Sequence, residues 1–232
     1  MKKNVFKLLL VFMAVLLLVG CGKEEKEIEG KVGGWELNTS VTNTINSKEE
    51  DIFKKAVEEY TGAELEPIAY LGSQVVAGTN HMYLCKSTTT TEKPVISFKV
   101  VIVYENLQNE VELVRIEDFD LNKYVNVDIE NSNEVLSGGW TVSSEGGGNS
   151  LTEDEREMFN NATKELLGVN YKPLVVLATQ VVAGKNYAVL SVAETVIENP
   201  VYNISVVTIY KDLEDNSKVL AVANVNLADY NA

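Results

Sequence analysis

The sequence is poor in the side chains that carry out most enzymatic and metal chemistry. It has one histidine and two cysteines among 232 residues, which leaves little material for a metal site or a nucleophilic triad. It is also short of positive charge, because 20 basic residues face 34 acidic ones and the net charge is -14. Nucleic acids and anionic membrane faces are polyanions, so we expect no charge-driven binding to either.

A hydrophobic fraction of 45% with 23% charged residues is enough to build a buried core. This composition excludes a wholly disordered chain, a collagen-like chain and a small scaffold held by disulfides. A length of 232 residues suggests one or two domains.

The N-terminal apolar run, from Leu8 to Val19, is too short for a comfortable transmembrane helix of ~20 residues. A basic start followed by a short apolar core is typical of a secretory signal. The run ends in Leu18-Val19-Gly20-Cys21-Gly22, which resembles the lipobox of bacterial lipoproteins. The resemblance implies cleavage before Cys21, a diacylglyceryl thioether on its sulfur and a fatty acyl chain on its nitrogen. The alternative is an ordinary signal peptide in which Cys21 occurs by chance.

Removal of the predicted signal, residues 1–20, takes away three lysines and no acidic residue, which leaves 17 basic residues against 34 acidic ones. Residues 21–33 lack periodicity and are predicted to be a tether. The lipid supplies the membrane affinity that the acidic chain lacks. We therefore expect a lipid-anchored protein of the bacterial cell envelope, on the outside of the cytoplasmic membrane or on the outer membrane.

The second half of the chain repeats the first. Gln74-Val75-Val76-Ala77-Gly78 recurs 106 residues later as Gln180-Val181-Val182-Ala183-Gly184, and Gly33-Gly34-Trp35 recurs 105 residues later as Gly138-Gly139-Trp140. A repeat of this length indicates a duplicated domain rather than a solenoid unit of ~20–50 residues. The predicted domains are residues 34–124 and 139–232, joined by a linker at 125–138.

Each copy contains one predicted amphipathic helix. In the first copy Ser47 and Glu50 have the spacing of a capping box, an apolar stripe at helical spacing continues to Tyr60, and Gly62 is predicted to end the helix. The equivalent residues of the second copy are Thr152, Glu155, Leu166 and Gly168.

Four strand-like segments follow each predicted helix. They lie near 64–74, 79–88, 94–105 and 111–121, and near 170–180, 185–194, 200–211 and 217–228. Breaks at 106–110 and 212–216 predict hairpin turns, and a further strand is predicted at each Gly-Gly-Trp. The fold class is therefore α+β, with one helix packed on an antiparallel sheet of four or five strands in each copy.

Both Gln-Val-Val-Ala-Gly segments match the Gln-Xaa-Val-Xaa-Gly loop of the cystatin superfamily, and in the first copy the match to the stefins extends through Thr79-Asn80. The family fold, a helix wrapped by a four- or five-stranded antiparallel sheet, has the element order read above. The resemblance implies two tandem cystatin-like domains. It also implies that the protein is not an enzyme but a reversible, non-covalent inhibitor of papain-like cysteine proteases, without a metal or cofactor.

In that family an N-terminal trunk and two hairpins line up as a wedge that enters the protease cleft. By this resemblance the protease-binding residues of the first copy are Gly33, Gly34, Gln74, Val75, Val76, Ala77, Gly78, Leu107 and Gln108. Those of the second copy are Gly138, Gly139, Gln180, Val181, Val182, Ala183, Gly184, Leu213 and Glu214. The implied partner is a papain-like cysteine protease of a host, a competitor or the cell itself, bound by a monomeric chain.

Some residues depart from the family pattern. Gln108 and Glu214 stand in the proline position of the family's second hairpin, and the acid Glu214 either weakens binding or selects a different target. Trp35 and Trp140 directly follow the glycines, which is unusual in the family, and are expected to pack against the helix rather than to touch a protease.

Two alternatives remain open at this point. The chain is either an inhibitor or a non-inhibitory binding or structural module at the cell surface, because a fold does not fix a function. His81 and Cys85 share one face of a predicted strand and could form a nucleophilic pair, but no third polar group to orient the histidine is evident. With Cys21 lipidated, Cys85 is the only remaining thiol, so no intrachain disulfide is expected.

Overall fold

The structure, a computed structural model, describes residues 34–39, 45–125, 139–142 and 151–230. They belong to a unit that runs from Val32 to Ala232. The predicted signal, Cys21, the tether and nearly all of the predicted linker lie outside the described residues. Within the described part of the chain, no helix is long and apolar enough to cross a membrane.

The first repeat forms a five-stranded antiparallel sheet with the strand order β1-β2-β3-β4-β5. Its strands are β1 (Trp35–Leu37), β2 (Ala63–Val76), β3 (Gly78–Thr89), β4 (Ile96–Glu105) and β5 (Val111–Asp118). The helix α1 (Ser47–Val57) lies between β1 and β2 in the chain, and a short helix α2 (Asn122–Val125) follows β5.

The second repeat forms an equivalent sheet with the order β10-β9-β8-β7-β6. Its strands are β6 (Thr141–Val142), β7 (Val169–Val182), β8 (Gly184–Thr195), β9 (Tyr202–Lys211) and β10 (Ser217–Val225). The helix α3 (Glu153–Thr163) precedes β7, and a 3-10 helix (Leu227–Tyr230) follows β10. The predicted α+β class is confirmed at this level: two antiparallel five-stranded sheets with few helices.

The strands lie where the hydrophobic pattern predicts them, with ends displaced by at most three residues. The predicted strand at each Gly-Gly-Trp is also present, as β1 and β6. Both hairpin turns are confirmed, because the backbone N–H of Asn106 donates to the Glu110 carbonyl and that of Asp212 to the Asn216 carbonyl, each at 2.9 Å.

The predicted start of the first helix is wrong by one residue. Asn46, not Ser47, is the N-cap: its Oδ1 accepts from the Glu49 N–H at 2.9 Å, and Glu49 accepts in return from the Asn46 N–H at 3.0 Å. Asn46 can take the N-cap position in place of Ser47 because asparagine is as good an N-cap residue as serine. In the second copy the predicted box of Thr152 and Glu155 is confirmed.

Both helices end earlier than predicted, at Val57 and at Thr163. A tight i→i+3 hydrogen bond closes each end, from the N–H of Tyr60 to the Val57 carbonyl and from that of Leu166 to the Thr163 carbonyl. Tyr60 and Leu166 therefore lie beyond the helices and are exposed. Gly62 and Gly168 adopt positive φ, +108° and +85°, in the loops that lead into β2 and β7 rather than at the helix ends.

One face of each sheet packs against its helix. In the first repeat Phe53 of α1 lies among Tyr83, Val101 and Val103, and its ring centroid is 5.0 Å from that of Tyr83. In the second repeat the equivalent core contains Met158, Phe159, Val176, Val189, Val207 and Ile209. The predicted amphipathic packing of a helix on a sheet is thus present in both copies.

The other faces of the two sheets pack against each other in a single shared core. Buried residues of this core are Leu71, Met82, Leu84, Val100 and Ile102 from the first sheet and Leu177, Ala188, Leu190, Ile204 and Val206 from the second. The short segments after β5 and β10 join it, and the Tyr124 and Tyr230 hydroxyls are 3.5 Å apart. The order of layers is therefore helix, sheet, sheet, helix. Each sheet is covered by its helix on one face and by the other sheet on the opposite face.

Candidate functional site

Three segments of each repeat meet at one end of its sheet. In the first repeat Trp35 at the start of β1 pairs with Gln74, and Thr79, just after the β2–β3 turn, pairs with Glu105, just before the β4–β5 turn. We call Gly34 with residues 74–78 and 106–110 the first loop end. The equivalent second loop end consists of Gly139 with residues 180–184 and 212–216, where Lys185 pairs with Lys211.

A close approach between neighbouring strands requires glycine directly after the tip of the β2–β3 hairpin and of the β7–β8 hairpin. Gly78 has φ +138°, and a Cβ there would lie 2.5 Å from the Glu105 carbonyl oxygen and 2.7 Å from the Tyr104 ring. Gly184 has φ +120°, and its Cβ would lie 2.4 Å from the Lys211 carbonyl oxygen. The glycine of the Gln-Val-Val-Ala-Gly segment is therefore needed by the fold itself.

Two side-chain hydrogen bonds hold each first hairpin. The Asn80 amide donates to Gln74 Oε1 at 2.8 Å, across the base of the β2–β3 hairpin, and the Tyr104 hydroxyl donates to the Ala77 carbonyl. In the second repeat the bond from Asn186 to Gln180 is also 2.8 Å, and the bond from Tyr210 to Ala183 is 2.6 Å. The glutamine thus bonds across the hairpin base, a possibility that the sequence left open.

The tips of the hairpins present apolar side chains to solvent. Val75 is 58% exposed, Val76 41% and Leu107 78% at the first loop end. At the second loop end Val181 is 72% exposed and Leu213 84%. These side chains cluster on two adjacent hairpins at one end of a sheet, and grouped apolar exposure of this kind marks interaction sites more often than single exposed residues do.

The second hairpins are built on side-chain caps of the turn. Asn106 Oδ1 accepts from the N–H groups of Gln108 and Glu110, at 2.8 and 2.9 Å, and Asp212 Oδ1 does the same for Glu214 and Asn216. This arrangement leaves Leu107, Gln108, Leu213 and Glu214 exposed at the turn. The turn therefore keeps its shape without a proline.

The predicted trunk residues are placed only in part. Gly34 and Gly139 are exposed just before β1 and β6, whereas Gly33 and Gly138 lie outside the described residues. The prediction that Trp35 and Trp140 pack against the helices is wrong, because both pack against the core shared by the two sheets. The prediction considered only the helix-facing side of each sheet, whereas the other side is also apolar and carries this shared core.

His81 and Cys85 lie on the helix-facing side of β3, with Tyr83 between them. Cys85 is completely buried, and burial raises the pKa of its thiol well above the ordinary value. A nucleophile needs a thiolate that a substrate can reach, so the geometry is unsuited to a catalytic pair.

Sequence reasoning missed the polar partners of His81. Its Nδ1 is 3.0 Å from the Tyr70 hydroxyl, and its Nε2 is 3.3 Å from a Glu105 carboxylate oxygen, which also lies 3.8 Å from Lys48 Nζ. Burial lowers the pKa of His81, against the opposing effect of Glu105, and burial raises the pKa of Tyr70 to about 12. These residues are dispersed in sequence, so only the strand register brings them together.

The described residues contain no group of three or more His, Cys, Asp or Glu side chains that could hold a metal ion. No protein-family model matches the sequence, and no curated protein is detectably similar to it.

Proposed function

We propose that the chain is a lipid-anchored surface protein of the bacterial cell envelope with two cystatin-like domains, and that it inhibits papain-like cysteine proteases reversibly and without a covalent bond. Each loop end is the proposed contact surface. The observation that carries the proposal is the grouping of uncharged, exposed tips, Val75 and Val76 beside Leu107 and Val181 beside Leu213, on adjacent hairpins.

The shape and stiffness of the loop ends suit entry into a narrow cleft. The β2–β3 hairpin is slim at its tip, because valine and alanine add apolar surface without bulk or charge. The ladders of β2 and β3 run up to the turn, where Val76 pairs with Gly78, and Tyr104 holds the Ala77 carbonyl. A preformed hairpin loses little conformational entropy on binding, which favours affinity from a small interface.

One observation favours a second candidate function, a non-inhibitory binding or structural module on the cell surface. The glutamine and the glycine of the Gln-Val-Val-Ala-Gly segment both serve the fold, through the Gln74–Asn80 bond and the close approach at Gly78. A chain with this fold that binds no protease would need the same glutamine and glycine. The fold does not need the exposed valines, so their substitution separates protease binding from stability of the fold.

The test is inhibition of papain by the full-length chain in mild detergent, compared with the double variant Val75→Glu/Val181→Glu. We expect the variant to inhibit at least tenfold more weakly, ~1.4 kcal/mol, because each carboxylate would be buried without a partner. The control is Val114→Glu, an exposed valine (42%) in the middle of β5 and away from both ends of the sheet, which should leave inhibition unchanged. Absence of inhibition by the unaltered chain at micromolar concentration would rule out papain-like enzymes of this type as targets.

A further inference from the structure

The loop end of the first repeat lies against the far end of the second sheet. A cleft of about 460 Å³ is lined by Trp35 and Leu37 of β1 and, from the second repeat, by Asn203, Ile204 and residues 224–228. Trp35 pairs with Gln74, only three residues before the Ala77 tip. The cleft residues from the second repeat lie at the start of β9 and at the end of β10. This end of the second sheet is the one farthest from the hairpin tips of the second repeat.

The reverse contact is equivalent. A cleft of about 500 Å³ is lined by Trp140 and Val142, which directly follow Gly139 of the second loop end, and, from the first repeat, by Ser97, Phe98 and residues 118–122. Those residues begin β4 and follow β5, so they lie at the end of the first sheet opposite its hairpin tips. Each loop end is thus seated on the tip-free end of the other sheet.

The length of β9 gives the distance between the two sets of hairpin tips. Between Asn203, beside Trp35, and Lys211, beside the second loop end, β9 spans eight residues, or about 26 Å at ~3.3 Å per residue. The first loop end projects beyond Trp35 by a further three residues, about 10 Å. The two sets of tips therefore lie at opposite ends of the paired sheets, and the core shared by the two sheets holds them apart.

We propose that one chain binds two protease molecules at the same time, one at each loop end, and so bridges them. This inference rests on the proposed function and adds to it the stoichiometry and the geometry of the complex. The partner at each end is a papain-like protease, because both ends carry the same uncharged apolar tips. No part of the first loop end is needed to form the second, so neither binding event removes the other site.

The experiment measures how many papain molecules, with the catalytic cysteine blocked by alkylation, bind one full-length chain in mild detergent, by light scattering of complexes separated by size. We expect two papain molecules on the unaltered chain, one on Val75→Glu, one on Val181→Glu and none on the double variant. The Val114→Glu control should still bind two. All variants should show the same far-ultraviolet circular dichroism as the unaltered chain, because the substituted side chains are exposed.

Two results would overturn the bridge while leaving inhibition intact. One is a single papain per unaltered chain although each single variant also binds one, which would mean that the two sites exclude each other. The other is a single papain that is lost with one variant and unaffected by the other, which would mean that only one loop end binds. Absence of any complex would instead contradict the proposed function itself, and the bridge with it.

Discussion

Replacement of Gly78 by alanine tests whether the fold, rather than a partner, requires this glycine. The φ angle of +138° alone costs a non-glycine residue ~1–3 kcal/mol. The new Cβ would in addition lie 2.5 Å from the Glu105 carbonyl oxygen and 2.7 Å from the Tyr104 ring. Relief of such overpacking typically costs a further ~1–3 kcal/mol. We therefore expect Gly78→Ala to lower the free energy of unfolding by roughly 2–6 kcal/mol.

The chain provides a matched control in Gly62. It also has positive φ, +108°, but a Cβ there would meet no atom within 4 Å. Gly62→Ala should therefore cost only the backbone term, ~1–3 kcal/mol. The second repeat offers the same comparison, with Gly184 as the crowded position and Gly168 as the open one.

The assay is urea unfolding followed by circular dichroism, with all four alanine variants compared at one pH and temperature. We expect Gly78→Ala and Gly184→Ala each to be less stable than Gly62→Ala and Gly168→Ala, with an unchanged dependence of the unfolding free energy on urea concentration. Equal losses at crowded and open positions would refute this expectation, since the close approach of the strands would then cost nothing.

Three further predictions follow from buried groups and from the N-terminal segment. Because burial lowers the pKa of His81, the unfolded chain takes up a proton at higher pH than the folded one, so stability should fall as pH drops below about 6.5. His81→Gln should reduce that loss, measured by urea midpoints at pH 7.5 and pH 5. The Cys85 thiol, fully buried and with a raised pKa, should resist iodoacetamide in the folded chain and react in urea. Cys21→Ala should abolish incorporation of radiolabelled palmitate in bacteria, whereas Cys85→Ala should not; labelling that persists without Cys21 would contradict the lipid anchor.

Most elements could be predicted from the sequence because each repeat follows simple periodicity. Alternation and hairpin breaks located the strands within three residues. The helix boundaries were less well determined, because Asn46 and Ser47 are both good N-caps and only the hydrogen bonds of the folded chain select between them. Those errors are of one turn or less.

The shared core was missed although the sequence contains a signal for it. Met82, Tyr83, Leu84 and Cys85 are consecutive and all completely buried. A strand with one solvated face alternates apolar and polar residues, whereas a continuous apolar run indicates burial on both faces. A helix can cover only one face of each sheet, so these runs required a second covering layer, which the other repeat provides.

The candidate site also has one part that could be predicted from the sequence and one part that could not. The two hairpins could be located from the turn residues and the repeat, and the structure places them side by side. The contacts of His81 with Tyr70 and Glu105 could not be predicted, because they join three strands whose register has no marker in the sequence.

The contact between Tyr124 and Tyr230 has a consequence for how the chain responds to change. These residues are equivalent by the repeat offset of 106. The cleft at Trp35 and the cleft at Trp140 are equivalent in the same way, and reciprocal contacts of this kind are those of an internal two-fold axis. The interface between the sheets is therefore isologous, like that of a symmetric dimer, although a single polypeptide forms it. If both members of such a pair receive the same substitution, the two new side chains lie against each other. Two added charges then repel each other, and two added apolar groups compete for the same space.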